Sequence, residues 1–269
     1  MRTKHSFRRG KSLRNFAVYG LEGFPMIKGG DNLAETIVDT SKRNGLTIQD
    51  HDVIVIAQKV ISKAEMRVLN LKKIVPSRSA KRLAKATGKD AGFLELVLRE
   101  TRNVLKAKRG ILIVRDKRGL ICINAGIDKS NIEGKWNYAM LPENPDESAE
   151  KYRSEIRAIT GKDVAIIICD TYSRPFRRGQ VNFAIGVAGI GLFRDYRGKK
   201  DLFGNVLRVK NVAVVDELAA TAELLMGQGA EGIPVAIVRG LETSLDRHSS
   251  TGIGELLISG REDLFKGVL

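Results

Sequence analysis

Residues 164–169, Val-Ala-Ile-Ile-Ile-Cys, form an unbroken apolar run of strand length that stops abruptly at Asp170-Thr171. An apolar run without polar alternation reads as a buried strand, so the chain must cover a sheet rather than expose one. Asp52–Ala57 (Asp-Val-Ile-Val-Ile-Ala) has the same β-branched character, and Val235–Arg239 supplies a final strand. Helical signals fall between these runs. Asp31 is placed to N-cap a helix over Leu33–Arg43, and further helices are expected near Ser77–Thr87, Ala91–Thr101, Ser148–Thr160 and Asp216–Met226. Shorter strands are expected at Asn15–Tyr19, Gly110–Arg115, Leu120–Asn124 and Val206–Val214. Of these, Gly110–Arg115 and Leu120–Asn124 flank the turn Asp116-Lys-Arg-Gly119 as a hairpin. Residues 141–147 read as a rigid connector, and Gly186, Gly189 and Gly191 as a loop-rich segment. The pattern indicates an α+β (mixed α/β) fold with mixed sheets and flanking helices.

At 269 residues the chain can bury one large core or two small ones. No apolar run approaches the roughly 18 residues of a membrane span. The N-terminal Arg2, Lys4, Arg8, Arg9, Lys11 and Arg14 precede no hydrophobic segment of signal-peptide length, so cytoplasmic residence is the expectation. Residues 1–14 read as a basic tail and 15–269 as one catalytic domain. Cys122 and Cys169 lie inside apolar runs without a CxxC pair, and His5, His51 and His248 are scattered. That argues against structural zinc and for two reduced core thiols. A net charge of +15 favours anionic partners. Charge alone leaves the partner undecided, but aromatics at 6% and the absence of a nucleic-acid reader motif argue against nucleic acid as the main partner.

Asp170 at a strand end would offer a hard oxygen ligand to a divalent cation, and Arg174, Arg177 and Arg178 follow with planar donors suited to phosphate. The plainer reading of the same residues is an Asp-Thr turn with a solvated basic loop behind it. No GxxxxGK[ST], GxSxG or strand-following GxGxxG sequence occurs, so a nucleoside triphosphate would bind outside the common folds. Four segments carry polar groups beside buried elements. They are Phe24–Ile27 with Lys28, Gln58–Lys63, Asn124–Asn131, and the glycine-rich Gly227–Ile233, whose amides could approach an anion. Each alone is an ordinary surface connector. Together with Asp170-Thr171 they suggest one site.

The segment Cys122-Ile-Asn-Ala-Gly-Ile-Asp128-Lys-Ser-Asn131 resembles the NAGID-x-SN motif of the coenzyme F420:L-glutamate ligase family. Asp170-Thr-Tyr-Ser-Arg-Pro-Phe-Arg-Arg-Gly179, Asp195–Gly204 and Asp216–Gly229 are similar to further motifs of that family, in order, from about residue 15 to about 242. The resemblance implies a two-lobed α+β fold in an intertwined homodimer. It also implies GTP-dependent addition of L-glutamate to a deazaflavin precursor, first on its lactyl carboxylate and then through a gamma linkage. Two divalent ions (Mg²⁺ or Mn²⁺) and K⁺ are implied as cofactors. Carried over by motif, Asp128, Asp170, Thr171 and Gln228 match metal-ligand positions. Phe24, Pro25, Met26, Ile27, Gln58, Lys59, Lys63, Asn131 and Met226, Gly227, Gln228, Gly229, Ala230, Glu231, Gly232, Ile233 match GTP-binding positions. Asp128, Asp170 and the three arginines are the expected catalytic groups. Two departures accompany the resemblance. Gln58-Lys59 stands where many members have small hydroxyl residues. Gln228 stands where many have Glu, which keeps an oxygen ligand but removes one charge.

Overall fold

In the computed structural model, the described residues are 15–241, 252–258 and 262. The basic tail and most of the segment after residue 242 lie outside them. The strands are β1 (Ala17–Gly20), β2 (Val53–Ala57), β3 (Val68–Asn70), β4 (Thr101–Lys108), β5 (Ile111–Asp116), β6 (Ile121–Ile123), β7 (Asn137–Ala139), β8 (Ala165–Ser173), β9 (Gln180–Ala188), β10 (Phe193–Asp195), β11 (Asn211–Ala213) and β12 (Val235–Arg239). The helices are α1 (Leu33–Arg43), α2 (Gln58–Ala64), α3 (Arg78–Thr87), α4 (Ala91–Arg99), α5 (Pro145–Thr160) and α6 (Val214–Met226).

A five-stranded sheet in the order β1-β12-β2-β8-β9 forms the centre. Its β2–β8 pair is parallel, with Val53 opposite Ala165 and Ala57 opposite Cys169, and its other pairs are antiparallel. Val53, Ile54, Val55 and Ile56 are each 3% exposed or less. Successive strand residues point to opposite faces, so both faces of this sheet are covered. Side chains from α1, α5 and α6 share its apolar cluster. A second apolar cluster is drawn from residues 71–140, the stretch between β2 and β8, and joins α3, α4 and the β4-β5-β6 sheet. Tyr172, near the end of β8, packs against both clusters. The mixed α+β architecture agrees with the sequence reading, and no helix of the described residues is long and apolar enough to cross a membrane.

Several local expectations change. The N-cap of α1 is Asn32, whose side chain accepts the Glu35 N–H, while Asp31 accepts the Lys28 N–H one turn earlier. The rigid connector is partly helix. Asn144 caps α5 and Pro145 occupies its first turn, where a missing N–H costs nothing. The expected helix over 91–101 ends at Arg99, and β4 begins at Thr101. Residues 180–188 are a strand, β9, rather than a loop. Position 186 within β9 is glycine because a Cβ there would collide with the Pro145 carbonyl. The strand expected over 206–214 is confined to β11, and α6 begins at Val214. The hairpin holds: β5 and β6 pair antiparallel, with Gly119 at φ 96° in their turn.

Candidate active site

The sequence places Asp170 at a strand end, yet β8 runs on to Ser173 as one arm of an antiparallel hairpin with β9. What ends at Cys169 is the parallel pairing with β2. Asp170 is therefore the first residue beyond the covered half of the sheet, where a register shift between Ile168 and Cys169 re-aims the strand. At the same edge β2 gives way to α2, so Gln58–Lys63, read as a loop from sequence, is a helix whose first turn meets Asp170.

These ends open onto a cavity of about 510 Å³. Its walls come from Phe24–Ile27, the first turn of α2 with Lys63, residues 131–133, Cys169–Thr171 with Asn182, and residues 226–230 and 232–234. The four sequence segments thus converge. Asn131 ties two of them together by donating from its amide to the Gly229 carbonyl at 3.0 Å. Gln58 is 1% exposed; its carbonyl oxygen accepts the Ser62 hydroxyl, and its Nε2 is a buried donor without a partner. A cavity wall with an unsatisfied amide donor fits a polar ligand.

Asp128 is reached through three successive left-handed residues, Asn124 (φ 54°), Ala125 (φ 54°) and Gly126 (φ 69°). Such a run is costly for the two non-glycine residues and persists because the surroundings fix it. A Cβ on Gly126 would lie 2.6 Å from Leu141. The backbone of Asp128 pairs with Ala139, and its carboxylate bonds to the Lys59 ammonium at 2.6 Å and to the Ser130 amide and hydroxyl. Burial pushes the Asp128 carboxyl up, but Lys59 and Ser130 together hold it below the ordinary carboxylate range. Asp170 behaves oppositely. Burial raises it to about 6, against the backbone hydrogen bond at Thr171 and the charge of Lys59, and with the charge of Asp128 adding to the rise. Lys63 is lowered by burial first and by Lys59 second, with Glu133 opposing.

Thr171 Oγ1 donates to Asn182 Oδ1 at 2.8 Å, and Gln228 Nε2 donates to Asn182 Oδ1 at 3.3 Å and to Glu223 Oε1 at 2.7 Å. Among the described residues no group of three or more His, Cys, Asp or Glu side chains gathers as a metal site. The donor set expected from sequence is instead two carboxylates, a hydroxyl and an amide. All four are oxygen donors, and that suits a hard cation. Among the described residues Asp170 makes no ion pair, which fits cation binding there, whereas Asp128 is already paired with Lys59.

Five expected site residues, Asp128, Arg174, Arg177, Arg178 and Glu231, lie outside the cavity lining. Arg174, Arg177 and Arg178 lie in the connection between β8 and β9 and do not line the cavity; Arg174 donates to the Arg178 carbonyl. Glu231 is also outside the lining, and its carboxylate takes the Gly229 N–H at 2.7 Å, so that glycine-loop amide is already used. Gly227 sits at φ 65° and ψ −179°, a backbone region that essentially only glycine adopts, which explains the residue. Asn182 and Glu223 were not singled out from sequence. The signal available for Asn182 was an amide between Val181 and Phe183, visible once 180–188 is read as a strand.

Comparison with known proteins follows the same residues. The sequence model of the F420-0:gamma-glutamyl ligase family matches residues 23–240. A protein of Methanocaldococcus jannaschii described as coenzyme F420:L-glutamate ligase is 44% identical over 259 residues, covering 95% of this chain and 99% of its own. Relatives of the same description from Archaeoglobus fulgidus (44% identical; 94% and 97% covered) and Methanothermobacter thermautotrophicus (40% identical; 93% and 99% covered) match almost as fully.

Proposed function

The chain belongs to the F420-0:gamma-glutamyl ligase family, and we propose that it is a GTP-dependent ligase joining L-glutamate to the deazaflavin F420 precursor. The observation that carries this reading is the convergence of segments from residue 24 to residue 234 on one cavity of about 510 Å³. That volume lies within the roughly 300–1,000 Å³ range of small-molecule sites. The curated relatives carry the glutamate-ligase description over nearly their whole length.

In this reading Phe24–Ile27, Gln58, Lys59, Lys63, Asn131 and Met226–Ile233 hold GTP, and the free amide of Gln58 meets a polar group of the nucleotide. Asp128, Asp170, Thr171 and Gln228 would hold two divalent cations, Mg²⁺ or Mn²⁺, with K⁺ as a further ion. Bound there, they would offset phosphate charge. A carboxylate oxygen of the precursor attacks the γ-phosphorus and GDP leaves. The glutamate amine then attacks the acyl carbon, phosphate departs with its oxygen, and the ammonium proton passes to solvent. A first glutamate joins the lactyl carboxylate and a second its γ-carboxyl. Arg174, Arg177 and Arg178, outside the cavity, offset charge on the precursor rather than on the nucleotide.

We also propose that the molecule is a two-lobed homodimer. The support is the outer face of the β4-β5-β6 sheet, where Ile111, Ile121 and Ile123 are 41–47% exposed. The free thiols of Cys122 and Cys169 agree with a reducing, cytoplasmic setting. Mass spectrometry of the glutamate-free precursor incubated with protein, GTP, Mn²⁺ and L-glutamate tests the activity. Successive glutamyl increments with stoichiometric GDP are expected. GDP without a glutamylated precursor would move the chemistry to another acceptor, and the absence of both products would overturn the reading.

A further inference from the structure

Gln228 and Asn182 each carry an amide whose oxygen and nitrogen could exchange places by a half-turn, and Thr171 carries a hydroxyl that can donate or accept. One carboxylate removes all three ambiguities. Glu223, on α6, accepts the Asn182 backbone N–H at Oε2 (2.8 Å) and faces the Gln228 amide with Oε1 (2.7 Å). An ionised carboxylate only accepts, so the atom of Gln228 turned toward it must be Nε2. That nitrogen is also 3.3 Å from Asn182, so the atom Asn182 presents must be Oδ1. Thr171 lies 2.8 Å from the same Oδ1 and must therefore donate to it. The remaining Asn182 nitrogen donates to the Cys169 sulfur at 3.5 Å. The consequence reaches the cavity that Thr171, Asn182 and Gln228 line. With its nitrogen committed, Gln228 keeps its carbonyl oxygen as the free end. With its hydrogen committed, Thr171 keeps its lone pairs free.

We propose that Glu223, acting through Asn182, is a positioning residue that turns the Thr171 and Gln228 oxygens toward a divalent cation. The inference rests on the reading of Thr171 and Gln228 as cation ligands. Glu223 lies outside the cavity lining and need not touch the cation. It fixes donor orientation from behind, as partners of metal ligands do, and adds a negative charge beside an otherwise neutral pair of ligands.

The test is Mn²⁺ binding by electron paramagnetic resonance of the free ion, with and without GTP. It is run on the full chain beside circular dichroism and thermal melting. Glu223→Gln lets the two facing amides adopt either sense, and is expected to weaken Mn²⁺ binding roughly 10- to 100-fold, the usual loss for such partners. Glu223→Asp shortens the side chain but keeps an acceptor-only group on α6, and is expected to bind Mn²⁺ more tightly than Glu223→Gln. A mere strut between α6 and β9 would be served better by the isosteric Gln than by the shorter Asp. Asn182→Leu probes the chain from its other end with Glu223 intact, and is expected to weaken Mn²⁺ as well. Wild-type affinity in a folded Glu223→Gln variant, or a folded Glu223→Asp variant that binds no more tightly than Glu223→Gln, overturns the inference. If the wild-type protein binds no Mn²⁺ even with GTP, the cation reading falls and takes this inference with it. Mn²⁺ binding that depends on Glu223 without glutamylation of the precursor would overturn the ligase activity and leave the positioning role standing.

Discussion

The central sheet and the β4-β5-β6 sheet bury apolar residues by opposite rules. In β2 and the first half of β8, consecutive residues are enclosed, so every position is a core position. In β5 and β6 burial alternates: Leu112, Val114 and Cys122 face inward, while Ile111, Ile121 and Ile123 face out. A polar residue in the first kind of strand is expensive, and an apolar residue on the open face of the second is exposed without return inside one chain. Each exception therefore points to something beyond the fold. Asp170 points to the chemistry, and the isoleucines of β6 to a contact.

The largest effect should come from Asp170. Asp170→Asn is expected to lower turnover at least about 1,000-fold, on the scale of losing an essential transition-state contact. Full activity in a folded variant would remove Asp170 from the site. The same substitution should leave the metal-free protein more stable at pH 7, because it deletes a carboxylate whose charge is disfavoured by burial. The sign follows from the direction of the shift. With a folded pKa of about 6 against an ordinary aspartate value of 3.8, the native state binds more protons than the unfolded state between those values. Its stability therefore falls as pH rises through that window. The shift corresponds to about 3 kcal/mol at most. Urea unfolding of the metal-free wild type at pH 4 and pH 7, beside the variant, measures it. Equal stability of wild type and variant at pH 7 would mean the carboxylate is better compensated than its surroundings indicate.

An intermediate effect separates the two sheets by packing alone. Ile167 and its paired neighbours in β2 and β9 are buried on both faces. Ile167→Ala should cost about 2–5 kcal/mol, the range for truncating an enclosed aliphatic side chain. Ile121→Ala on the open face should cost under about 0.5 kcal/mol in the isolated chain. Denaturant midpoints of the two variants, compared at a concentration where the chain is monomeric, decide this; similar losses would mean that the outer face is packed within the chain.

How much of this was legible follows from the same rule. The runs at 53–57, 165–169 and 235–239 announce themselves because burial on both faces permits only apolar residues. The strand β4, Thr-Arg-Asn-Val-Leu-Lys-Ala-Lys, is mostly solvent-facing and carries charges, so nothing in its composition distinguishes it from a helix end. The strand β9 was hidden by Gly186, which is small because α5 begins against it and not because the chain turns. That concealment also hid Asn182. The residues around the cavity could be gathered by motif, yet sequence proximity misled for the arginines. They follow Asp170 closely in the chain, but the hairpin carries them past the cavity lining. Glu223 gave no signal at all, since an acid late in a helix reads as a solvated one, and only its hydrogen bonds to Asn182 and Gln228 distinguish it.

The smallest effect on the single chain is the one that probes the contact. Ile123 sits opposite Ile113, and Ile121 opposite Arg115, so the outer face of β5–β6 already mixes apolar and cationic side chains. A lysine at either isoleucine can extend into solvent without disturbing the inward-facing Cys122. On β4 the register shift between Val104 and Lys106 leaves Leu105 as the extra residue, 49% exposed, while Val104 stands opposite the inward-facing Val114. Ile121→Lys with Ile123→Lys should therefore change the stability of the monomer by only about 0.5 kcal/mol per site. In a dimer closed over this face, the same two charges would be repeated across the interface, buried and facing like charges. Sedimentation equilibrium should then show a dimeric wild type and a folded, monomeric double variant. A variant that stays dimeric would place the contact elsewhere and leave the outer face of β4–β6 without a partner.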